Sequence, residues 1–393
     1  MRKSLRASLV VMLILSAGAA GAQTFIFEPL SFPSARVQGM GGTHVALADD
    51  ISTLMSNPAG FRAAGPQFSV TEITTNLTGP VFSIADLSLK LMGGASPLTL
   101  LTDPVTQSLF TSLYAQALLN GPLSFGYVGN GLGFGFFNTS GVTFATQGTV
   151  PTLTAGVHED ILFVGGYTFR IALPQSMQST LDLGVSVKAF ARGGLDFTES
   201  ILDIFSLLSS GDFSSLLNKP FKLDVGFGMD AGILYSWNQT VSFGIVGRDL
   251  YAPVARNTYT SFTAFGSGSS SILSYGTAPI DLSAGILLSP NLGPVEDYLS
   301  NLKIAIDYAD ILDFLTHPET STNPVLHVGL GLEARVLEIL ALRGGFGQGY
   351  FSAGFGLNLT AFRLGLTMYG SELSSEPGMH PAYNLLVSMD FKY

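Results

Sequence analysis

The sequence predicts an all-β membrane protein: an antiparallel transmembrane β-barrel of about 14 strands, with an N-terminal plug and short helices in its outer loops. Three observations lead to this fold. Apolar and polar residues alternate in strand after strand, the links between strands alternate in length, and the composition is apolar. Of the 393 residues, 47% are hydrophobic, 12% are charged and 46 are glycine, whereas average proteins carry roughly 25% charged residues. Strands cross a membrane only as a closed barrel, because every backbone polar group must be satisfied there.

The N-terminus predicts export. Basic residues within the first six positions precede the apolar run 9–15, and small residues follow up to Ala22. This is the arrangement of a secretory signal peptide, so we assign residues 1–22 to it and expect the mature chain to begin near Gln23. The apolar run is shorter than the roughly 20 residues that a spanning helix needs. We therefore expect a multi-pass barrel in the bacterial cell outer membrane.

Charge and residue types exclude several classes of function. The chain holds 28 acidic and 18 basic residues, and some of the basic ones lie in the signal peptide, so no nucleic-acid footprint is expected. There is no cysteine, and the five histidines show no metal-ligand spacing. No Gly-x-Ser-x-Gly motif stands between a predicted strand and a helix. We expect neither an enzyme nor a bound metal or cofactor.

Alternation with a period of two marks the strands, since successive side chains of a strand point to opposite faces. It is clearest at the end of the chain, where every second residue from Tyr383 to Tyr393 is apolar or aromatic. This aromatic end resembles the signal that barrel-assembly machinery reads. The fourteen predicted strands are 81–91, 121–128, 131–140, 160–171, 180–192, 222–236, 239–250, 279–289, 301–312, 325–336, 338–347, 350–359, 361–370 and 383–393.

The lengths of the links predict the orientation of the barrel. Bacterial outer-membrane barrels have short periplasmic turns and long outer loops. With the C-terminus in the periplasm, every long link falls outside, and only the outer link near Gln348 is short. The long links are 92–120, 141–159, 193–221, 251–278, 313–324 and 371–382.

Charged residues keep to one face of each predicted strand. On 180–192, for example, Asp182, Lys188 and Arg192 oppose a run of leucines, valines and alanines. A basic residue that faces lipid near the midplane costs about 2–4 kcal/mol, so we assign the charged face to the lumen. Small residues on that face either leave the lumen open or let a plug approach the wall, and glycines occupy it at Gly184, Gly226, Gly228, Gly329, Gly331 and Gly365.

The strand count assigns residues 81–393 to the barrel and leaves residues 23–80 as an N-terminal hatch, or plug. Residues 66–76 within it are either an extra strand or a lead-in to the wall. The region 35–61 carries the signals of a compact turn–helix–turn element. Glycines allow tight turns, acidic residues can cap a short helix, and an Asn-Pro pair ends it. Together with Arg36, these residues form the predicted hatch and gating set: Arg36, Gly41, Gly42, Asp49, Asp50, Asn57 and Pro58.

Three motifs in this region resemble a known family. Gly39-Met-Gly-Gly42, Ala48-Asp-Asp50 and Asn57-Pro-Ala59 are similar to the N-terminal hatch of the FadL-type long-chain fatty-acid transporters. Relatives of that family include uncharacterised spirochaetal outer-membrane proteins and the type IX secretion barrel protein of the PorV kind, to which the stretch 342–350 is also similar. The resemblance implies a fourteen-stranded barrel around an N-terminal plug. It also implies that hydrophobic molecules pass from an outer groove to a lumen site and then sideways into the membrane.

Apolar stripes in two predicted outer loops are candidates for capturing a hydrophobic solute, because exposed apolar surface marks binding sites. The alternative is that the two loop helices pack on each other and cap the barrel. Helical spacing gives one stripe of Val105, Leu109, Leu113 and Ala117, and a second that includes Ile204 and Phe205.

Inward arginines are candidates for holding a carboxylate headgroup, which Arg binds with two parallel hydrogen bonds. We select Arg335 and Arg343 for this role. The alternative is that each inward arginine pairs with an inward or plug carboxylate, such as Asp49, Asp50, Asp224 or Glu333.

The expected function is passive transport of hydrophobic molecules, and of long-chain fatty acids in particular, by capture on outer loops, passage through a plugged lumen and lateral release. The expected partners are outer-membrane lipid, hydrophobic small molecules and the barrel-assembly machinery. A first alternative is a PorV-like barrel that binds a periplasmic or secreted protein. A second is a structural or adhesive surface barrel.

Overall fold

The computed structural model describes residues 25–96, 99, 100, 103, 106, 113–147, 152–200, 203, 214–316, 318, 319, 321–359 and 361–392. The signal peptide predicted for residues 1–22 therefore lies outside the described residues.

The described strands form one sheet that closes on itself. Neighbouring strands are antiparallel, β18 pairs with β2 to complete the ring, and β1 alone pairs in parallel, with β11. The strands are β1 (Phe25–Ile26), β2 (Gln67–Thr78), β3 (Tyr114–Asn120), β4 (Phe125–Gly129), β5 (Leu132–Gln147), β6 (Thr152–Ile171), β7 (Ser179–Ser200), β8 (Phe221–Trp237), β9 (Val241–Tyr251), β10 (Pro253–Tyr259), β11 (Ile272–Thr277), β12 (Asp281–Leu288), β13 (Leu299–Tyr308), β14 (Val328–Val336), β15 (Leu340–Gly347), β16 (Tyr350–Asn358), β17 (Phe362–Glu372) and β18 (Pro381–Lys392).

Three of the wall strands are interrupted. β3 and β4 share the same two neighbours, β2 and β5, so they are two parts of one wall strand. β9 and β10 both pair with β8, so they are two parts of a second interrupted strand. β12 pairs with β9 and β11 pairs with β10, so β11 and β12 are two parts of the third. With β1 set aside, the wall therefore has fourteen strands, and the predicted fold class is confirmed.

The two rims of the barrel differ. Tight links such as Asn130–Gly131 and Asn238–Thr240 lie at the rim where β18 ends, which we call the short-turn rim. Longer links such as 79–113 and 260–271 lie at the opposite, long-loop rim. β6 and β7 have 20 and 22 residues, so the links predicted at 141–159 and 193–221 are shorter than the sequence indicated, and the link predicted at 251–278 is shortened to 260–271.

The wall has an apolar outer face. On β6, Leu162 and Val164 are buried in one cluster with Phe27 and Phe61 of the N-terminal region, whereas the alternate residues Ile161, Phe163 and Phe169 are exposed. Exposed leucines, isoleucines, valines and phenylalanines recur at alternate positions of the other long strands. We call this outward surface the apolar belt. It matches the alternation from which the strands were predicted.

Helices are short and lie mostly in the links. The helices whose bounds fall within the described residues are α1 (Ala35–Gly39), α2 (Val81–Met92), α3 (Phe262–Gly266), α4 (Asp313–Thr316) and the 3-10 helices Ile51–Leu54, Pro58–Phe61, Gln175–Met177, Ser214–Asn218, Gly293–Asp297 and Pro324–His327. In the described part of the chain, none of the helices combines the length and the apolar character needed to cross a membrane.

Two predictions near the N-terminus were wrong. The first predicted strand, 81–91, is the helix α2, and the wall strand that precedes it is β2, which settles the status of residues 66–76 and moves the start of the barrel from residue 81 to Gln67. β2 pairs with β18 on one side and with β3 and β4 on the other. The apolar residues of 81–91 fit both a period of two and a period of 3.6, and this ambiguity produced the error.

The N-terminal segment (Phe27–Pro66) packs against the inward face of the wall. Its close contacts fall on glycines of the strands: Gly184 faces Pro58, Gly232 faces Asn57, and Gly345 faces Gly41. A Cβ added at Gly345 would come within 2.3 Å of the backbone nitrogen of Gly41. The inward glycines predicted from the sequence divide into two sets. Gly184, Gly329, Gly331 and Gly365 contact this segment, whereas the nearest neighbours of Gly226 and Gly228 are residues of the wall.

Candidate functional site

A buried group of charges joins the N-terminal segment to the wall. Arg36 in α1 donates to Asp49 (2.6 Å) and Asp50 (2.7 Å) of its own segment and, through Nη2 and Nε, to the two carboxylate oxygens of Glu333 on β14 (2.6 and 2.9 Å). Arg343 Nε donates to Glu333 at 2.7 Å, and Lys303 pairs with Asp49. We call these six residues the Arg36 cluster. It holds three charges of each sign, so each buried charge is compensated, as burial requires.

The cluster fixes the ionisation of the segment's own residues. Burial lowers the pKa of Arg36, but the carboxylates of Asp49, Glu333 and Asp50 raise it by more. The net result is a pKa well above the ordinary value. Burial raises the pKa of Asp49, and Arg36 and then Lys303 lower it below its usual range. The pKa of Asp50 is also lowered, chiefly by Arg36, against the effect of burial. All three side chains are therefore charged at neutral pH.

Side-chain caps build the backbone that presents this cluster. Asp50 accepts from the backbone N–H of Ser52 and caps the 3-10 helix Ile51–Leu54. Asn57 accepts from Ala59 N–H at 3.0 Å and caps the next one. Its amide also donates to the carbonyls of Val45 (2.9 Å) and of Ile233 on β8 (3.3 Å). One asparagine thus closes a turn and fastens it to the wall, and the capping predicted for this region is present.

His44 links the segment to a second part of the wall. Its Nδ1 lies 2.6 Å from the carbonyl of Gly42, and its Nε2 lies 3.1 Å from Nη1 of Arg248. Because the carbonyl only accepts and the guanidinium only donates, Nδ1 carries the proton and Nε2 accepts, so the ring is neutral. Burial, and then Arg248, lower the pKa of His44. Asp307 on β13 accepts from the backbone N–H groups of His44 and Val45 at 2.6 and 2.8 Å.

Another ionic contact lies on the wall itself. Lys188 on β7 pairs with Asp230 (2.9 Å) and Asp249 (2.7 Å). Asp249 adopts a φ of 51° where the register between β8 and β9 shifts. Such a bulge re-aims side chains. It turns Arg248 and Asp249 towards the lumen, where both line the cavity described next.

A cavity of about 920 Å³ lies between the N-terminal segment and the wall. Binding pockets for small molecules typically measure about 300–1,000 Å³. One side of the cavity is apolar, lined by Phe27, Leu30, Phe32, Phe137, Leu162 and Phe190. The other side is polar, with His44, Arg248, Lys188 and four residues of the Arg36 cluster, namely Arg36, Asp49, Asp50 and Arg343. The shape and the two contrasting sides suit a molecule with one apolar and one anionic part.

Arg335 is the cation of this lining that is not neutralised. It lies on β14, close to the short-turn rim, and among the described residues it forms no ion pair. Its Nε is buried without a hydrogen-bond partner. Leaving a buried donor unpaired costs about 1–3 kcal/mol, so this guanidinium is poised to accept an anionic partner. Arg343, the second arginine predicted to bind a ligand, is instead paired with Glu333, as the alternative interpretation expected.

The apolar residues predicted to capture a solute divide into two sets. Leu109, Ile204 and Phe205 lie outside the described residues. Leu113 is buried, in a cluster with Leu87, Leu100, Ala115 and Leu153. The predicted helical stripe does not extend to Ala117, because Tyr114–Asn120 is the wall strand β3. Leu113 therefore packs under a loop and does not form an exposed groove.

Several residues of the site were not among the predicted site residues. His44, Lys303 and Asp307 hold the segment, and Phe27 and Phe190 stack at 5.1 Å on the apolar side of the cavity. In the sequence, Lys303 and Asp307 were marked only by their position on the inward face of their strand. Phe27 carried no such signal, because it lies between the predicted signal peptide and the first hatch motif and belongs to neither. Among the described residues no group of three or more His, Cys, Asp or Glu side chains is arranged to hold a metal ion.

The structure resembles solved structures over nearly its whole length. It matches the toluene transporter TbuX of Ralstonia pickettii with a TM-score of 0.50 at 13% identity, over 91% of this chain and 98% of that one. The toluene transporter TodX of Pseudomonas putida matches with a TM-score of 0.46 at 13% identity, over 94% and 100%. A FadL homologue of Pseudomonas aeruginosa gives 0.46 at 11% identity, over 93% and 98%.

No protein-family model matches the chain, and no curated protein matches it. At 13% identity, the likeness to TbuX concerns the fold, and at that level it confirms the predicted resemblance to the FadL-type transporters. The chain thus has a closed fourteen-stranded barrel fold that it shares with the toluene transporter TbuX.

Proposed function

We propose that this chain is an outer-membrane barrel that lets hydrophobic molecules cross passively, with long-chain fatty acids as its substrates. The observation that carries the proposal is the cavity of about 920 Å³ between the N-terminal segment and the wall. An aromatic side suits an acyl chain through burial of apolar surface, and the unneutralised Arg335 suits a carboxylate. A neutral hydrocarbon such as toluene would not need that cation.

The membrane location is supported by the apolar belt and by the sequence of the N-terminus. Exposed apolar residues on alternate positions of β6 and β7 are what a lipid-facing wall requires. Residues 1–22 act as a signal peptide in this proposal, and the short-turn rim faces the periplasm. The apolar loops at the outer rim would then make first contact with the solute.

The N-terminal segment acts as the hatch. Its ionic contacts with the wall are concentrated in the Arg36 cluster, and His44 adds hydrogen bonds to Arg248 and Asp307, so these contacts set the free energy of moving it. Passage requires the segment to shift far enough to join the cavity to a lateral exit, and the substrate's binding energy offsets the contacts that are lost. In the predicted gating set, Gly41 and Gly42 form the turn that separates Arg36 from His44.

The test is uptake of a radiolabelled long-chain fatty acid into cells that carry or lack the gene. We expect uptake to fall in the deletion strain and to return with the plasmid-borne gene. The long-chain alcohol of the same length serves as a neutral competitor. Unchanged fatty-acid uptake after deletion would contradict the proposal. Stable binding of a periplasmic or secreted protein to the barrel would instead favour the PorV-like alternative.

Arg335→Gln tests the headgroup site. A charge-assisted hydrogen bond contributes about 1.5–3 kcal/mol, so we expect fatty-acid affinity to fall about tenfold or more, with little change for the alcohol. Arg170→Gln is the matched control, since Arg170 is also an inward wall arginine but pairs with Asp182 at 2.6 Å away from the cavity. Equal losses in both variants would contradict a specific role for Arg335.

A further inference from the structure

The helix α2 presents a row of exposed apolar side chains. Phe82, Leu89 and Met92 are 79%, 68% and 85% exposed, and Ala85 between them is exposed as well. Residues three and four apart share one side of a helix, so these four form a continuous stripe. Exposed apolar residues are unremarkable singly, but a contiguous stripe marks an interaction surface.

A different side of α2 packs on the wall. Ile84 and Leu87 belong to a cluster with Ala115, Phe144 and Leu153. The pairing of the strands places Ala115 beside Phe144, Phe144 beside Ala155 and Ala155 beside Phe197, so the helix lies across four strands.

The packed face of those strands is the outward one. Along β6, Ala155 has the same parity as Ile161 and Phe163 of the apolar belt, with no shift of register against β5 in between. The opposite parity holds Asp160, whose partner Arg192 reaches the N-terminal segment. Hence α2 lies on the outside of the barrel and not over its mouth.

The two flanks of α2 have opposite character. Ser83, Asp86 and Lys90 lie on one flank, where Asp86 and Lys90 pair at 2.7 Å. Ala85, Leu89 and Met92 lie on the other. A helix that lies along a wall at a water–hydrocarbon boundary needs this division, with one flank in each medium.

The position of α2 along the wall agrees with such a boundary. β2 has 12 residues, and about 9–11 are needed to cross a bilayer at a tilt. α2 begins three residues after β2 ends, at the long-loop rim. It therefore starts where the apolar belt gives way to the loops.

We propose that α2 is an interfacial helix whose apolar flank, with Phe82, Leu89 and Met92, rests in the acyl chains of the outer leaflet. This contact extends the apolar belt outward from the wall. On the side of β2 it fixes how deeply the barrel sits in the membrane. The inference depends on the proposed membrane location, but not on the substrate.

The absence of cysteine from the sequence permits single-cysteine variants of the whole chain. Met92→Cys and Leu89→Cys carry an environment-sensitive fluorophore on the apolar flank, Ser83→Cys carries it on the polar flank, and Phe163→Cys carries it in the belt. The labelled proteins are reconstituted in liposomes with brominated lipid, and quenching by that lipid is compared with quenching by aqueous iodide.

We expect positions 92 and 89 to lose fluorescence to brominated lipid to the same extent as position 163, with a blue shift, and position 83 to be quenched by iodide. Iodide quenching at 92 and 89 equal to that at 83, with lipid quenching kept at 163, would overturn the interfacial helix alone. If an added apolar solute then protected positions 92 and 89 from iodide, the stripe would be assigned to solute capture. Loss of lipid quenching at 163 would instead refute the membrane location itself.

Discussion

The guanidinium of Arg36 and the carboxylate of Glu333 form a buried two-point contact, at 2.6 and 2.9 Å, between the N-terminal segment and β14. The two residues are 297 positions apart in the chain. Each has further partners, Asp49 and Asp50 for Arg36 and Arg343 for Glu333. This pair is therefore the centre of the electrostatic link between segment and wall.

Arg36→Met should loosen the segment. Removing one partner of a buried ionic group costs about 3–5 kcal/mol, because the remaining charges lose their compensation. Hydrogen exchange of residues 35–60 should become about a hundredfold faster or more, since each 1.4 kcal/mol is a factor of about ten. Arg170→Met, which breaks the wall pair with Asp182, should leave exchange in the segment unchanged. Equal acceleration in both variants would argue against the Arg36 cluster as the fastening.

Gly41→Ala and Gly42→Ala should differ sharply. Both glycines have positive φ, 67° and 82°, so each substitution carries a backbone penalty of about 1–2 kcal/mol. A Cβ at Gly41 would also lie 2.4 Å from the carbonyl oxygens of Leu330 and Phe346, whereas at Gly42 nothing lies within 4 Å. We expect Gly41→Ala to prevent seating of the turn and Gly42→Ala to weaken it only. Limited proteolysis of the segment measures this difference, and similar cleavage rates would refute the close contact.

Asn57 has a capping role and a fastening role, and two variants separate them. Asn57→Ser keeps a side-chain oxygen that can accept from Ala59 but loses the donors to Val45 and Ile233, while Asn57→Ala loses all three contacts. Serine adds no charge at this fully buried position. Loss of a cap costs about 0.5–2 kcal/mol. If both roles contribute, thermal stability should fall in the order wild type, Ser, Ala. A loss as large for Ser as for Ala would mean that the cap itself contributes little.

Lowering the pH should loosen the segment through His44. In the unfolded segment the ring titrates near a pKa of about 6.5, and in the seated segment burial and Arg248 lower that pKa. A lowered pKa means that the stabilisation is complete above about pH 6.5 and is lost as the pH falls towards the lowered value. Protonation would place a charge on Nε2 against Arg248, with Asp281 and Asp307 the acidic groups nearby.

The measurement is hydrogen exchange of residues 41–48 between about pH 7.5 and about pH 5.5, corrected for intrinsic rates. His44→Gln should abolish the acceleration on acidification. Asp49 and Asp50 have lowered pKa values, so they stay ionised over this range and do not add to the slope. Persistence of the full slope in His44→Gln would assign it to another group.

The wall was predictable from the sequence because lipid and lumen impose opposite demands on alternate residues. Asp182, Lys188 and Arg192 all face inward as their phase indicated, and each has an inward partner. The helix at 81–92 was not predictable by the same rule. Its Leu87 packs on the outside of the barrel, so it obeys neither the inward nor the lipid-facing pattern, and its short apolar run fits two periods.

The site was predictable only in part. The motif residues Asp49 and Asp50 indicated a cap for the short helix; Asp50 forms that cap, whereas Asp49 forms ion pairs. Asn57, predicted to end the helix, caps the next one. The tertiary partner of Asp49 showed only its inward phase, since Lys303 lies 254 residues away in the chain. From the sequence, Arg335 and Arg343 were equally good candidates for binding a carboxylate headgroup. Only the position of Glu333 between Arg36 and Arg343 shows that one arginine is neutralised and the other is not.

Pro66 alone separates Gly65 of the N-terminal segment from β2, which is hydrogen-bonded to neighbours on both sides. The segment is thus tethered at one end to the seam where the first and last wall strands meet. Gly65 has a φ of 68°, a conformation that glycine adopts without strain. The other end is held as well, because β1 pairs with β11 and the backbone N–H of Phe27 donates to the carbonyl of Thr277. With both ends fixed to the wall, a moving hatch would shift most in the middle of the segment, near the Arg36 cluster and His44, and least at Gly65 and Phe27.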